Sequence, residues 1–301
     1  MVGKLDSEVE KPLLTIVVPV HNMAGRLTNL SLWLESAHNL NVNVILVHDK
    51  STDATNFELE KLTTGRNFPL LQIDVKSPGL ARNAGLALVK TPWFSFADSD
   101  DLVSVADLLN LTKDADSSGC KIGIGSYISN DLRSGFEKLH SPPTVIEGAL
   151  PLHLAKGLGL WRFVFETKLF GGTRFTNHRM GEDYLFANLV FNQTNEIHVS
   201  PQIVYKYFHN GEWNLTSNQS VMSEMFGVIE CLKALKPTTS IGRELKVFTI
   251  QKLILSVIKH LPTNVEVKKK FRLLVYLISH PLYLVNLLCS IRVERKITKD
   301  E

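Results

Sequence analysis

The sequence predicts an α/β fold built around a mostly parallel sheet. Over the first hundred residues, short apolar runs alternate with segments whose apolar residues recur at helical spacing, a pattern typical of βαβ units. The apolar runs are nearly continuous rather than alternating, as expected for strands that are buried on both faces. The 301 residues are 44% hydrophobic and 21% charged, which is the composition of a globular protein with a full core.

The predicted elements follow in order along the chain. The first strands are "LLTIVVPV", "VNVILVH", "PLLQIDV" and "WFSFA", and helices are expected around "LTNLSLWLESA", 57–62 and 80–89 between them. Right-handed crossovers would place these strands side by side in one sheet. The run "KIGIGSYIS" predicts a further strand, and "RMGEDYLFANLVF" predicts a helix with Glu182 and Asp183 in its first turn, where acidic residues suit the helix dipole. From about Ser217 onward the pattern indicates helices.

Polar residues follow each of the four early strands. They are His21 and Asn22, then 49–53, then 77–83, then 98–101. Ligands of open parallel sheets bind beyond the carboxyl ends of the strands, so these four loops are expected at one ligand-binding edge. The first strand is not followed by GxGxxG, which argues against a dinucleotide-binding Rossmann unit.

Three carboxylates, Asp98, Asp100 and Asp101, stand within four positions at the end of the fourth strand. Like charges this close raise one another's pKa, so a compensating partner is expected. One interpretation is helix capping, with Ser104 and Asp107 at capping-box spacing, but a cap needs only one side chain. A second is a phosphatase-type nucleophile, and a third is a divalent cation held together with substrate phosphate oxygens, as Mg²⁺ or Mn²⁺ prefers.

Five motifs make the third interpretation specific. "TIVVPVHN", "LVHDKSTDAT", "GLARNAGL", "FADSDD" and "GEDYLF" occur in the order and at about the intervals seen in family 2 glycosyltransferases, which the chain resembles over residues 12–210. The resemblance implies a GT-A-type, Rossmann-like sheet flanked by helices, with a helical C-terminal extension. It also implies a DxD-type motif that binds a metal, Mn²⁺ or Mg²⁺, on the diphosphate of a nucleotide sugar. Asp98 and Asp100 match this motif, and the role of the adjacent Asp101 stays open between third ligand, water holder and helix cap.

The resemblance also assigns roles to the other loops. Asp49 matches the acid that recognises the nucleotide base, commonly uracil, and Arg82 matches a basic residue that faces the diphosphate. Asp53 is expected to stabilise a turn or to cap a helix. His209 is interpreted as an ordinary surface or core histidine, with an approach to the metal as the alternative. The substrate-binding residues implied in this way are Pro19, His21, Asn22, Asp49, Arg82, Asp98, Ser99 and Glu182.

Asp183 is the expected general base. The resemblance implies an inverting reaction, in which an acceptor hydroxyl attacks the anomeric carbon from the face opposite the leaving nucleoside diphosphate, and one carboxylate removes the hydroxyl proton. The metal would neutralise charge on the leaving diphosphate. Glu182 is expected to orient the acceptor or Asp183, and the alternative for both acids is a purely electrostatic role at a helix start.

The predicted function is transfer of a single sugar, from a UDP-sugar, to a glycan or lipid-linked glycan in capsule, lipopolysaccharide or exopolysaccharide assembly. The Gln-x-x-Arg-Trp element of processive synthases is absent, which favours single addition. His48 and Lys50 depart from the family, which often has Asp and Gly there. The alternatives are transfer to a protein or small acceptor, and a non-catalytic module that binds sugar nucleotides.

The C-terminal part differs from the rest in charge. From Cys231 to Glu301 there are 14 Lys or Arg and 5 Asp or Glu. The apolar segment 271–291 between basic flanks has three interpretations: a membrane span, contact with an anionic membrane surface, or ordinary helices packed on the catalytic domain. The polar N-terminus and the three scattered cysteines predict a cytoplasmic protein, peripheral on the membrane if the segment binds lipid.

The expected domains are a catalytic domain over 1–215 and a helical C-terminal region over 216–301. Within the first, 12–115 would be the nucleotide-binding half and 116–215 the acceptor half. Nucleic acid is not an expected partner.

Overall fold

A mixed sheet flanked by helices forms the centre of the protein. The computed structural model describes residues 11–144, 148–178, 180–210 and 224–260. The strands are β1 (Leu14–Val20), β2 (Asn43–Asp49), β3 (Leu70–Ile73), β4 (Trp93–Phe96), β5 (Leu102–Val103), β6 (Ile122–Asp131), β7 (Glu137–His140), β8 (Phe163–Glu166) and β9 (Ile197–His209). The helices are α1 (Thr28–Asn39), α2 (Thr55–Thr63), α3 (Pro78–Leu86), α4 (Val105–Ser117), α5 (Ala149–Lys156), α6 (Glu182–Phe191), α7 (Glu224–Ala234) and α8 (Ser240–His260).

The first four strands form the predicted parallel half of the sheet. Within the described residues the strand order is β3-β2-β1-β4-β8-β6-β9-β5, with β7 paired to β6. β1 pairs with β2 and β4, and β2 pairs with β3, all in parallel. This arrangement brings the carboxyl ends of the four strands to one edge, so the four polar loops lie together as expected.

The second half of the sheet is mixed, which the apolar pattern did not specify. β8 runs antiparallel to both β4 and β6, whereas the long β9 runs parallel to β6. The two-residue strand β5 pairs antiparallel with Tyr205 and Lys206 of β9. The loop that carries the clustered carboxylates is therefore attached to β9 by main-chain hydrogen bonds.

Both faces of the sheet are covered, as the continuous apolar strands predicted. On one face α1 and α4 pack through residues such as Trp33, Leu34 and Leu108. On the other face α3, α5, α6 and α8 pack through residues such as Ala81, Phe186 and Phe248. Sheets buried on both sides need apolar residues at successive positions, and this requirement explains the composition of β1, β2 and β4.

The helix α8 packs against the helices that cover the sheet rather than standing apart from them. It contacts α5, α6 and α7, and its residues Ile250, Leu253 and Ile254 form a small core with Val228 and Leu232 of α7. The segment 271–291 lies outside the described residues, as does the expected domain boundary at 215, and both expectations stay predictions. Within the described ranges, no helix combines the length and the apolar character that crossing a bilayer requires.

Gly85 allows α3 to lie directly on the sheet. A Cβ atom there would meet the side chain of Val17 in β1 and would lie 3.0 Å from Cγ2 of Val47 in β2. Both valines are buried and lie in paired central strands, so neither can move without disturbing the sheet.

We expect Gly85→Ala to lower the free energy of unfolding by about 1–3 kcal/mol, because an added methyl overpacks this contact. Urea denaturation would measure the change. Ala87→Ser, at an exposed position just beyond the end of the same helix, is the control and should leave stability unchanged. Equal stability of Gly85→Ala and the native protein would contradict this account of the helix packing.

Candidate active site

The polar loops that follow β1 and β2 are hydrogen-bonded to each other. The Nδ1–H of His21 donates to the carbonyl oxygen of Asp49 at 2.7 Å. The backbone N–H of Asn22 donates to Oγ of Ser51 at 2.9 Å, and its Oδ1 accepts the N–H of Thr52 at 2.8 Å. Asn22 adopts a positive φ of 50°, a conformation that asparagine tolerates better than most residues. His21 and Asn22 thus hold the β1 and β2 loops at a fixed separation, and Pro19 lies half-buried in β1 just before them.

Asp49 is a buried carboxylate at the end of β2. Its side chain accepts the backbone N–H groups of Val75 at 2.8 Å and Ser77 at 3.2 Å. These bonds hold the loop between β3 and α3 against the β2 loop. Recognition of a nucleotide base by Asp49 stays a prediction, and the side chain already has a structural use.

His48 and Lys50, which stand where the family often has Asp and Gly, each have a nearby polar partner. Nε2 of His48 accepts the N–H of Ser51 at 3.2 Å, and Lys50 pairs with Asp74 at 2.9 Å. Lys50 does not adopt a positive φ, so glycine is not required there. Asp53 accepts the N–H groups of Thr55 at the start of α2 and of Ala24 in the first loop, as expected of a residue that stabilises a turn or caps a helix.

A chain of ion pairs connects the two predicted halves of the site. The guanidinium of Arg82 donates to Asp98 Oδ1 at 3.0 Å and to Glu182 Oε1 at 3.1 Å. The Arg82 and Glu182 side chains are only 12% and 10% exposed, whereas that of Asp98 is 33% exposed. Paired charges at this depth are screened less than surface pairs. Arg82 therefore lies between the strand-end carboxylates and the acids of α6.

Glu182 is buried and Asp183 is half-buried at the N-terminus of α6. Burial raises the pKa of Glu182 to about 7, with a further increase from the charge of Asp183 and an opposing effect of Arg82. Burial also raises the pKa of Asp183, while the N–H of Tyr184 and the charges of Arg82 and Lys252 lower it. A carboxylate whose pKa lies above its usual range is a better proton acceptor near neutral pH.

Asp101 is the most enclosed of the clustered acids, at 1% exposure. Its oxygens accept the hydroxyl of Tyr205 at 2.9 Å and the backbone N–H of Phe208 at 2.8 Å. The Tyr205 oxygen in turn accepts the N–H of Asp98 at 2.9 Å. Asp101 thus fastens the acidic loop to β9, and its buried position argues against direct ligation of a metal. Ser99, also buried, lies within the same loop.

A cleft opens between the acidic loop and α6. Arg82, Asp98, Glu182 and Asp183 line it, together with Phe96 and the segment 159–161. Trp161 and Tyr205 are not among the predicted site residues, since an aromatic residue in an apolar run is typical of a core position. The structure stacks their rings at a centroid distance of 4.2 Å, directly beside the carboxylates. His209 lies farther along β9, where its ring stacks on Tyr207.

The residues present fit a divalent cation that is shared with a substrate. Burial and the negative charges of Asp100 and Asp98 hold the pKa of Asp101 well above its usual range. A cation bound beside Asp98 and Asp100 would offset the negative charge of this cluster. Among the residues that the structure describes, no three His, Cys, Asp or Glu side chains are placed to bind a metal by themselves. Asp98 and Asp100 would therefore supply only part of the coordination sphere, as is usual where phosphate oxygens complete it.

The chain matches a known family over most of the sheet and its loops. Residues 15–179 match the model described as Glycosyl transferase family 2. The chain belongs to this family. The resemblance to family 2 glycosyltransferases is thereby confirmed. The matched range contains the interlocked loops, Arg82 and the acidic cluster, and it ends before Glu182 and Asp183.

Curated relatives agree with this membership. The glycosyltransferase GlyA of Streptococcus pneumoniae is 25% identical over 210 residues, which are 64% of this chain and 30% of that protein. The succinoglycan biosynthesis protein ExoO of Rhizobium meliloti is 28% identical over 211 residues, which are 65% of this chain and 60% of that protein. The chain thus spans less than two thirds of the length of either relative.

Solved structures confirm the GT-A-type fold. TarS 1–349 of S. aureus in complex with UDP-GlcNAc superposes with a TM-score of 0.69 at 17% identity, over 88% of this chain and 79% of that one. The mannosyltransferase PcManGT of Pyrobaculum calidifontis superposes with a TM-score of 0.57 at 14% identity, over 95% and 81%. At these identities the likeness is one of fold.

We expect Tyr205→Phe to destabilise the protein by about 1–3 kcal/mol, because it leaves the N–H of Asp98 and an oxygen of buried Asp101 without a partner. Thermal and urea unfolding would measure the loss. Tyr207→Phe is the matched control, since the Tyr207 hydroxyl takes part in neither bond. If both variants were equally stable, the anchoring role of the Tyr205 hydroxyl would be wrong.

Proposed function

We propose that the protein is an inverting, metal-dependent glycosyltransferase that moves one sugar from a UDP-sugar to a glycan acceptor. The observation that carries this proposal is the ion-pair chain from Asp98 through Arg82 to Glu182. Asp98, Arg82, Glu182 and the neighbouring Asp183 line a single cleft, in which a donor diphosphate and an acceptor hydroxyl could meet. Family membership makes sugar transfer the reaction to test.

The donor side would consist of the four loops at the sheet edge. Asp98 and Asp100 would hold Mn²⁺ or Mg²⁺, which supplies charge neutralisation at the diphosphate when bound. Arg82 would turn part of its guanidinium from Asp98 toward the diphosphate, whose paired oxygens suit a planar fork of donors. The complexes of TarS with UDP-GlcNAc and of PcManGT with GDP-Man and Mn²⁺ support a nucleotide-sugar donor, and the acid of Asp49 favours a uracil base.

Asp183 would act as the general base. Its half-buried carboxylate lines the cleft and would accept the proton of the acceptor hydroxyl as the sugar is transferred. Glu182 pairs with Arg82 and so would position the neighbouring base and the acceptor rather than take the proton itself. Because burial raises the pKa of Glu182 to about 7, its carboxylate loses its proton as the pH rises through neutrality, and its charge pairing with Arg82 strengthens over the same range.

The acceptor would be a glycan or lipid-linked glycan of the cell surface. The name of ExoO, a succinoglycan biosynthesis protein, supports a role in polysaccharide assembly. Contact with an anionic membrane would fit the basic C-terminal region, whose segment 271–291 lies outside the described residues.

Asp183→Asn is the decisive variant. We expect it to lower the transfer rate by at least about 100-fold, because general-base assistance is lost, while donor affinity stays within a small factor of the native value. The donor is first found by screening UDP-, GDP- and CDP-sugars with Mn²⁺ or Mg²⁺ for slow nucleotide release. Calorimetry and a transfer assay then give the two readouts.

Asp114→Asn, an exposed acid on α4, is the matched control for Asp183→Asn. Native transfer rates in Asp183→Asn would refute the base assignment. Donor binding without transfer in the native protein, whichever acceptor is offered, would support a non-catalytic binding module instead.

Asp100→Ala tests the metal assignment separately. We expect the variant to lose the Mn²⁺-dependent part of UDP binding, since one of two carboxylate ligands is gone. Titration of UDP with and without Mn²⁺ would show the difference, and Asp114→Ala controls for the altered net charge. Unchanged metal-dependent binding in Asp100→Ala would contradict the assignment.

A further inference from the structure

Lys252 is a half-buried lysine in an apolar stretch of α8. Its Nζ donates to the carbonyl oxygen of Lys156 at 2.8 Å and bonds to the hydroxyl of Tyr184. The same ammonium lies 4.5 Å from the centroid of the Tyr184 ring, as in a cation–π contact. Burial lowers the pKa of Lys252 to about 8, against the opposing effect of the Asp183 charge. Keeping the Lys252 ammonium charged at this position therefore costs free energy, and the groups around it indicate a role for that charge.

The position of Tyr184 connects this lysine with the proposed base. Tyr184 follows Asp183 in the first turn of α6, and its N–H donates to Asp183 Oδ1 at 2.8 Å. Lys252 thus bonds to the side chain of Tyr184, and the backbone N–H of Tyr184 in turn bonds to the carboxylate of Asp183, the proposed base. The groups that act electrostatically on Asp183 are Arg82 from α3, Glu182 and Tyr184 from α6, and Lys252 from α8.

The second partner of Lys252 connects it with the wall of the cleft. Lys156 ends α5, where unpaired carbonyls carry partial negative charge that suits a cation. The chain then continues to 159–161, which lines the same cleft as Asp183. Buried Arg162 holds the start of this segment by donating to the carbonyl oxygens of Gly157 at 2.8 Å and Leu158 at 3.0 Å. One ammonium therefore joins α6 to the end of α5, from which the chain leads into the cleft wall.

We infer that Lys252 is a positioning residue for the proposed general base: through Tyr184 and the carbonyl of Lys156 it holds Asp183 and the end of α5 together, and it sets a positive charge near the Asp183 carboxylate. This inference rests on the proposed function, in which Asp183 accepts the acceptor proton. It assigns α8, a helix outside the matched family range, a part in the chemistry of the site. A lysine that only filled space in the core would have no effect on the ionisation of Asp183.

The test compares Lys252→Met with Lys246→Met. Lys246 lies on the same helix, but its Nζ donates to the carbonyls of Lys233 and Leu235 at the end of α7, away from the cleft. For Lys252→Met we expect the acidic limb of the kcat profile to move up by about one pH unit, because a nearby positive charge that favours the carboxylate is gone. On that limb the rate falls about tenfold. UDP affinity stays native, and Lys246→Met leaves the profile in place.

A titration of the Asp183 carboxyl carbon by NMR, assigned from its absence in Asp183→Asn, gives the same shift without reference to activity. Lys252→Arg should restore the native limb, and Lys252→Gln, which keeps a donor but not the charge, serves as a second variant if the Met variant does not fold. An unmoved Asp183 pKa in a folded variant that lacks the charge would overturn the inference. Failure of the proposed function differs from this result, because transfer would then survive Asp183→Asn.

Discussion

The electrostatic constraint on which the site depends is the concentration of acids around one buried arginine. Asp98 and Glu182 both accept hydrogen bonds from Arg82, and Asp183 lies close enough for its charge to act on the same guanidinium. Burial opposes the charge of Arg82, whereas the three acids favour it, and the net effect raises its pKa. Removing Arg82 would leave these acids without their cation in a weakly screened place. The negative charges of the cleft thus depend on Arg82.

The sheet supplies the geometry that this set requires. β1 and β4 end in the polar loops of the sheet edge, α3 brings Arg82 to that edge, and β9 anchors the acidic loop through Tyr205. α6 enters from the other side with both acids in its first turn, where the helix dipole favours negative charge. The elements that meet here are distant in sequence, so the site exists only when the sheet is complete.

Much of this arrangement could be predicted from the sequence, because the relevant signals are local. Continuous apolar runs predict buried parallel strands, and polar residues directly after them predict a shared edge. The motif around Asp98 and the acids at the start of α6 could be named for the same reason. The bond between Arg82 and Glu182, 100 residues apart, has no local signal. The contacts of Lys252 have no local signal either. Its neighbours in sequence are mostly apolar, and its partners, Tyr184 and the carbonyl of Lys156, are far away along the chain.

The mixed half of the sheet escaped prediction for a related reason. Whether β8 and β9 run parallel or antiparallel depends on the path of long connections, and the apolar pattern of a buried strand is the same in either direction. The use of Tyr205 as a hydrogen-bonding residue depends on that direction. A pattern that predicts burial therefore does not predict which buried residues will also carry polar contacts.

The bonds between the first two loops have a thermodynamic consequence for ligand binding. His21, Asn22 and Asp49 tie the β1, β2 and β3 loops together without any ligand. Conformational entropy that a flexible loop would lose on association has here been lost during folding. For the proposed nucleotide donor, more of the contact energy with these loops would then be available as affinity.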